Sequence, residues 1–358
     1  MQPAMIRRLP MTACAATLGA LVLFGSASIA AAPSTAPAKA YKAPRTLDGQ
    51  PDLQGNWSNA TITAFERPNQ YGDRLVMTVA EAKALEDAEA EGNAKADAPT
   101  DPKHGIQDLP TDCGRGFTGV NCGYNSFWVD PGTKIMTING EKRTSMVTTP
   151  NGKVPAASAA ARERMAARRS GARGGFNDGP EMRSLGERCI LSFGSSAGPP
   201  MIPLLYNNNY QIVQSKDAVM IQVEMVHDVR VVRLNSQHKP ESIRQWMGDS
   251  IGRWEGDTLV VETTNLRREQ GFRGASENAK YIERFTRIAP NQILYQFSVD
   301  DPSTWEKPWG GEVAMNQSRD NLYEYACHEG NYALPGILAG AREEERAKAK
   351  AAAPAEKK

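Results

Sequence analysis

A mainly β fold is predicted, an antiparallel meander that closes into a barrel-like shape with a few peripheral helices. Two observations predict it. Through the second half of the chain apolar and polar residues alternate with the period of a strand, and the alternating runs are broken by turn pairs such as Asn-Gly and Gly-Asp. Of 358 residues, 40% are hydrophobic, enough for a core of one large domain. With 42 basic against 41 acidic residues, the charge balance argues against nucleic acid or an anionic membrane as the main partner.

The chain opens MQPAMIRRLP, continues with an apolar run from Met11 to Phe24, and then becomes small-residue rich as far as Ala32. These are the three parts of an export signal, so residues 1–32 are expected to be a Sec-type signal peptide and the mature protein periplasmic or secreted. The residues around Arg7 and Arg8 fit twin-arginine export less well. No other segment approaches the roughly 20 apolar residues of a membrane span. Residues 33–46, rich in Pro and Ala, read as an extended linker, and 47–340 as a single β-rich domain. The charged, low-complexity stretch 341–358 reads as a helix fraying into a disordered tail.

Thr78 to Ala96 reads as a helix, because Thr-Val-Ala-Glu is a capping box in which Thr78 and Glu81 each satisfy a first-turn amide. KIMTI and EKRTSMV flank Asn139-Gly140 as a hairpin, and a second helix is expected within Pro155 to Arg169. Residues 171–179 are Gly-rich loop. Tyr206 to Gln214, YNNNYQIVQ, suits a turn, since Asn tolerates left-handed backbone; Tyr206, Asn208 and Tyr210 also offer ring faces and hydrogen bonds to a ligand.

VMIQVEMVHDVRVVRL reads as one long strand. Val219, Ile221, Val223, Met225, His227, Val229 and Val231 would share one face, and Glu224, Asp228 and Arg230 the other. Two further hairpins follow, RQWMGDSIGRWEGDTLVVETT and YIERFTRI-APNQ-ILYQFSV. Tryptophans 246, 254, 305 and 309 fall in or beside these strands as core, with Trp246 carried into the ligand-facing set. Tyr323 to His328 reads as a last strand, placing Tyr323, Tyr325 and Cys327 on one face and His328 on the other.

Loss of the signal removes Cys14 and leaves Cys113, Cys122, Cys189 and Cys327, an even set in an oxidising compartment. Three pairings are open; the short loop between Cys113 and Cys122 is the easiest to close, which leaves Cys189 with Cys327. The motif GSSAG matches a nucleophile elbow around Ser196, but Pro199, Pro200 and Pro203 forbid the helix it requires. No close cysteine pair, HExxH or G-x-G-x-x-G occurs, so the chemistry is expected to need no metal and no cofactor.

Many separated blocks, among them GERCI, GPPMIPLLYNNNYQI, GRWEGDTLVVETTN and YEYACHEGNY, resemble a family of exported bacterial proteins across roughly 45–340. The resemblance implies one exported domain and carries over no activity, cofactor or catalytic residue. The short motif GNW at Gly55 to Trp57 is also similar to lipocalins. Two functions are compatible with the residues. One is a cofactor-independent periplasmic enzyme acting by acid and base on a small aromatic or phenolic compound, by elimination, retro-aldol cleavage or hydrolysis. His227 or His328 would be its base, Glu224, Asp228 or Glu329 would orient or relay, and Arg230 or Tyr210 would stabilise negative charge. The alternative is a periplasmic protein that binds such a ligand without changing it.

Overall fold

The structure is a computed structural model and describes residues 41–99, 103, 129, 131–169, 175–193, 196 and 198–352. The expected signal peptide, residues 33–40 of the linker, Cys113, Cys122 and residues 353–358 lie outside the described residues.

Nine strands close into a barrel: β1 (Gly55–Ser58), β5 (Asn209–Gln214), β6 (Ala218–Val223), β7 (Val229–Leu234), β8 (Asp249–Glu255), β9 (Thr258–Thr264), β10 (Lys280–Ala289), β11 (Gln292–Asp300) and β12 (Trp309–Gln317). Strands β5 to β12 follow one another around the wall, and the four-residue β1 closes it by pairing antiparallel with both β5 and β12. Every junction is antiparallel except β7 with β8, which run parallel and pair only at Arg233 with Ile251 and Leu234 with Gly252. The long connection 235–248 returns the chain in its original direction, which a tight hairpin does not do. In strand count and in this junction the barrel departs from the eight-stranded antiparallel lipocalin pattern.

Alternation fills the interior. On β10, Tyr281, Glu283 and Phe285 point inward and are buried, as are Ile293, Tyr295, Phe297 and Val299 on β11. Trp57, Tyr210, Val313 and Met315 complete a continuous aromatic and aliphatic core. Each such side chain contributes about 1.5–3 kcal/mol by leaving water.

A smaller sheet, β2 (Val76–Met77), β3 (Thr137–Ile138) and β4 (Glu141–Arg143), lies outside the barrel. Its β3–β4 turn takes positive φ at Asn139 and Gly140, as the Asn-Gly pair predicts. Helix α1 (Val79–Ala96) carries the expected capping box, with Thr78 accepting from the Glu81 amide and Glu81 accepting from that of Thr78. Ala82 of this helix packs with Tyr71, Met77 and Ile135 in a satellite core. Helix α2 (Ala159–Arg169) falls within the expected segment, and helix α3 (Ala333–Ala352) ends the described chain. Residues 341–352, read from sequence as a helix fraying into a disordered tail, are helical, in keeping with their Ala, Glu, Lys and Arg content.

Candidate functional site

The residues predicted to form one site fall in three places, because one expected strand is folded in two and another does not form. The first is the segment around Glu224 to Asp228. The chain does not run straight from Ala218 to Leu234; Val226 and His227 adopt φ of 57° and 47°, and the segment folds back as the β6–β7 turn. The expected apolar face holds through Val219, Ile221, Val223 and Met225, all buried, and inverts after the turn. Glu224 is buried and accepts hydrogen bonds from Asn207 Nδ2 at 2.6 Å and Asn209 Nδ2 at 3.1 Å. His227, expected among core valines, is exposed, and so are Val229 and Val231. Asp228 accepts from the Ser192 amide at 2.8 Å. Burial pushes its carboxyl up to about 6, against the opposing pull of that N–H and of His227.

The second place is the barrel interior. Arg230 turns inward and donates from Nη1 and Nη2 to the two carboxylate oxygens of Glu283 at 2.8 and 3.1 Å, a pair whose side chains are 2% and 0% exposed. Tyr295 donates to Glu283 Oε1 at 2.8 Å and accepts from the Met201 amide at 2.8 Å. Burial, and then the Glu283 charge, hold the Tyr295 phenol well above its ordinary value, so it stays protonated. Tyr210, also raised by burial, donates to the Ser196 carbonyl at 2.6 Å and accepts from Asn59 Nδ2 at 3.2 Å. Ser196 itself is fully buried, a position without access for a nucleophile. Asn208 is likewise buried: its Nδ2 donates to the Leu204 carbonyl and its Oδ1 accepts from the Leu204 amide, which fixes the turn rather than a pocket mouth. Glu283 and Tyr295 escaped the sequence reading, although the alternation of Tyr281, Glu283 and Phe285 marks Glu283 as inward-facing.

The third place surrounds the one disulfide among the described residues, Cys189 with Cys327, whose Cα atoms are 5.7 Å apart. Tyr323 to His328 is not a strand, so the expected division of Cys327 and His328 between faces does not apply. Residues 327–330 form a turn in which His328 and Glu329 are exposed. Asn331 Nδ2 donates to the Glu187 carbonyl at 2.7 Å, and the rings of Tyr206 and Tyr325 stack with centroids 6.4 Å apart. Between the segment 186–193 and the start of α3 lies a cleft of about 470 Å³, lined by Phe193, Tyr325, Leu334 and Ile337 with Glu187, Glu324 and Asn331 as polar members. Burial raises the Glu187 carboxyl, but the Ser184 amide and hydroxyl together with Arg183 outweigh it and hold Glu187 below its ordinary value. Helix α3 buries no residue; Arg342 anchors it by donating to the Asn177 and Asp178 carbonyls at 2.8 and 2.9 Å.

Trp246 stands apart, half-buried under the Arg267 guanidinium at 4.3 Å. A histidine absent from the expected acid–base set, His238, places Nδ1 3.0 Å from Asp249 Oδ2 and Nε2 3.4 Å from Glu262 Oε1. Among the described residues no group of three or more His, Cys, Asp or Glu side chains is arranged to hold a metal ion, and no helix is long and apolar enough to cross a membrane. No protein-family model matches the chain, and no curated protein matches it.

Proposed function

We propose that this protein is a receptor for a small aromatic or phenolic molecule, held unaltered in the cleft beside the Cys189–Cys327 bond. The observation that carries the reading is the cleft: about 470 Å³, apolar and aromatic walls, and a few polar groups to orient a ligand. Phe193 and Tyr325 supply ring faces, while Glu187 and Glu324 accept hydrogen bonds from a phenolic hydroxyl. The disulfide ties the two walls together and limits the ordering cost of binding. It also supports export to an oxidising compartment, the fate suggested by the N-terminal sequence.

A second reading, acid–base catalysis on the same class of molecule, draws support from Asp228, whose carboxyl near 6 suits proton transfer close to neutral pH. It is the weaker reading, because His227 and His328 are exposed and neither lines this cleft. Incubation of the full chain with uncharged phenols, followed by calorimetry and mass spectrometry of what is released, separates the two. Binding with unaltered ligand supports the receptor; turnover that His227→Ala or Asp228→Asn abolishes supports the enzyme; neither binding nor turnover removes both.

A further inference from the structure

The Cys189–Cys327 bond sits where it controls the cleft rather than the barrel. Strand β12 is paired on both sides by β11 and β1, so the wall closes before the arm that carries Cys327 begins. The bond instead joins the segment 186–193 to residues 324–337, the two walls of the cleft. Few other contacts hold those walls together. Asn331 Nδ2 donates to the Glu187 carbonyl at 2.7 Å, Arg342 donates to the Asn177 and Asp178 carbonyls, and Tyr325 stacks on Tyr206. Helix α3 buries no residue to add to them.

Two further observations open the bond to exchange. Both cysteines line the cleft, whose volume of about 470 Å³ admits a small thiol. They are not equivalent there. Cys189 is 7% exposed and Cys327 is half-buried, so an incoming sulfur meets Cys327 more readily. Asn331 Nδ2 also lies 3.5 Å from Cys189 Sγ and donates to it. A donor at that point steadies negative charge on the sulfur, and a sulfur that carries charge well leaves faster. Access and charge stabilisation therefore select the same direction of exchange.

We propose that Cys189–Cys327 is a thiol-operated latch on the cleft, through which a small thiol parts the two walls and releases the ligand. The inference rests on the receptor reading of the cleft and adds its regulation. In the first step a thiolate attacks Cys327 Sγ, the S–S bond breaks, and its electron pair leaves on Cys189 Sγ beside the Asn331 N–H. A second thiolate then attacks the reagent sulfur of the mixed disulfide, and Cys327 leaves as its thiolate. Two thiols are oxidised to one small disulfide, the cystine is reduced to two cysteines, and the protons of the thiols end on those cysteines.

The test equilibrates the full chain in mixtures of 2-mercaptoethanol and its disulfide, with p-cresol as the probe of the cleft. Alkylation and mass spectrometry read the fraction reduced, and calorimetry reads p-cresol affinity. The reduced chain is expected to keep the circular dichroism of the barrel while its p-cresol affinity falls at least about tenfold. By reciprocity, saturating p-cresol should raise the thiol-to-disulfide poise needed for half-reduction by the same factor. Acid quenching during the reaction should trap the reagent on Cys327. Equal p-cresol affinity in the two states, a half-reduction point indifferent to p-cresol, a bond that resists the thiol until the barrel unfolds, or reagent trapped on Cys189 would each overturn the latch while p-cresol still binds the oxidised chain. Failure of the oxidised chain to bind p-cresol is a separate result, which removes the receptor reading and the latch with it.

Discussion

The barrel and the arm that follows it, residues 318–352, obey opposite rules. Inside the barrel, charge is sealed and paired: Arg230 and Tyr295 both donate to Glu283 in a space that aromatic side chains otherwise fill, although Arg230 Nε and the Tyr281 hydroxyl are buried without a partner. In the arm, Tyr323, Tyr332, His328 and Glu329 are exposed, α3 buries nothing, and attachment depends on one disulfide and a few hydrogen bonds. On the proposed reading, a ligand is received where the two meet. A filled barrel offers rigidity, and the boundary between rigid wall and loosely seated arm offers room.

Breaking the sealed centre should have the largest effect. Arg230→Met leaves Glu283 buried without its partner and is expected to cost about 3–5 kcal/mol, read as a fall in the midpoint of urea unfolding. Adding Glu283→Met to it should recover much of that loss, because the uncompensated charge is gone.

Reducing the disulfide attacks the other side of the contrast. The bond spans a sequence separation of 138 and encloses strands β5 to β12, so its loss should cost about 2–4 kcal/mol of global stability. The sharper expectation concerns binding: in Cys189→Ser/Cys327→Ser, affinity for a phenol should fall much further than stability does, measured by calorimetry well below the unfolding midpoint.

Asp228, at the turn, gives a smaller and pH-dependent effect. Its folded-state value of about 6 lies above 3.8, so the folded form holds the proton more tightly. The stability this confers is complete below about pH 4 and is lost as pH rises through 6. Asp228→Asn should therefore gain about 1–2 kcal/mol over the parent at pH near 7.5 and nothing near pH 4, as thermal melts at the two pH values would record. The smallest effect is expected at Thr78→Ala, which removes the cap of α1 and should cost about 1 kcal/mol while sparing the disulfide cleft.

Much of the wall was legible in the residues, and the reasons are local. Asn139-Gly140 and Gly256-Asp257 fix their hairpins because the backbone they favour matches the twist of the paired strands. The turn at Val226 and His227 was not legible. A β-branched residue at positive φ goes against its own preference, and the alternation on either side reads through the break. Tyr323 to His328 has strand-like composition but no partner to join, since β12 is already paired on both sides by β11 and β1. Cysteine arithmetic left three pairings open and loop closure favoured Cys189 with Cys327, the bond present, whereas Glu283 is hard to see because a charge within a strand is usually on the solvated face.

The most direct measurement is hydrogen exchange of the full chain with and without a bound phenol. Slower exchange confined to residues 186–193 and 324–337 is the expected result. Protection centred instead on the strands carrying Arg230, Glu283 and Tyr295, with the arm unchanged, would contradict the account.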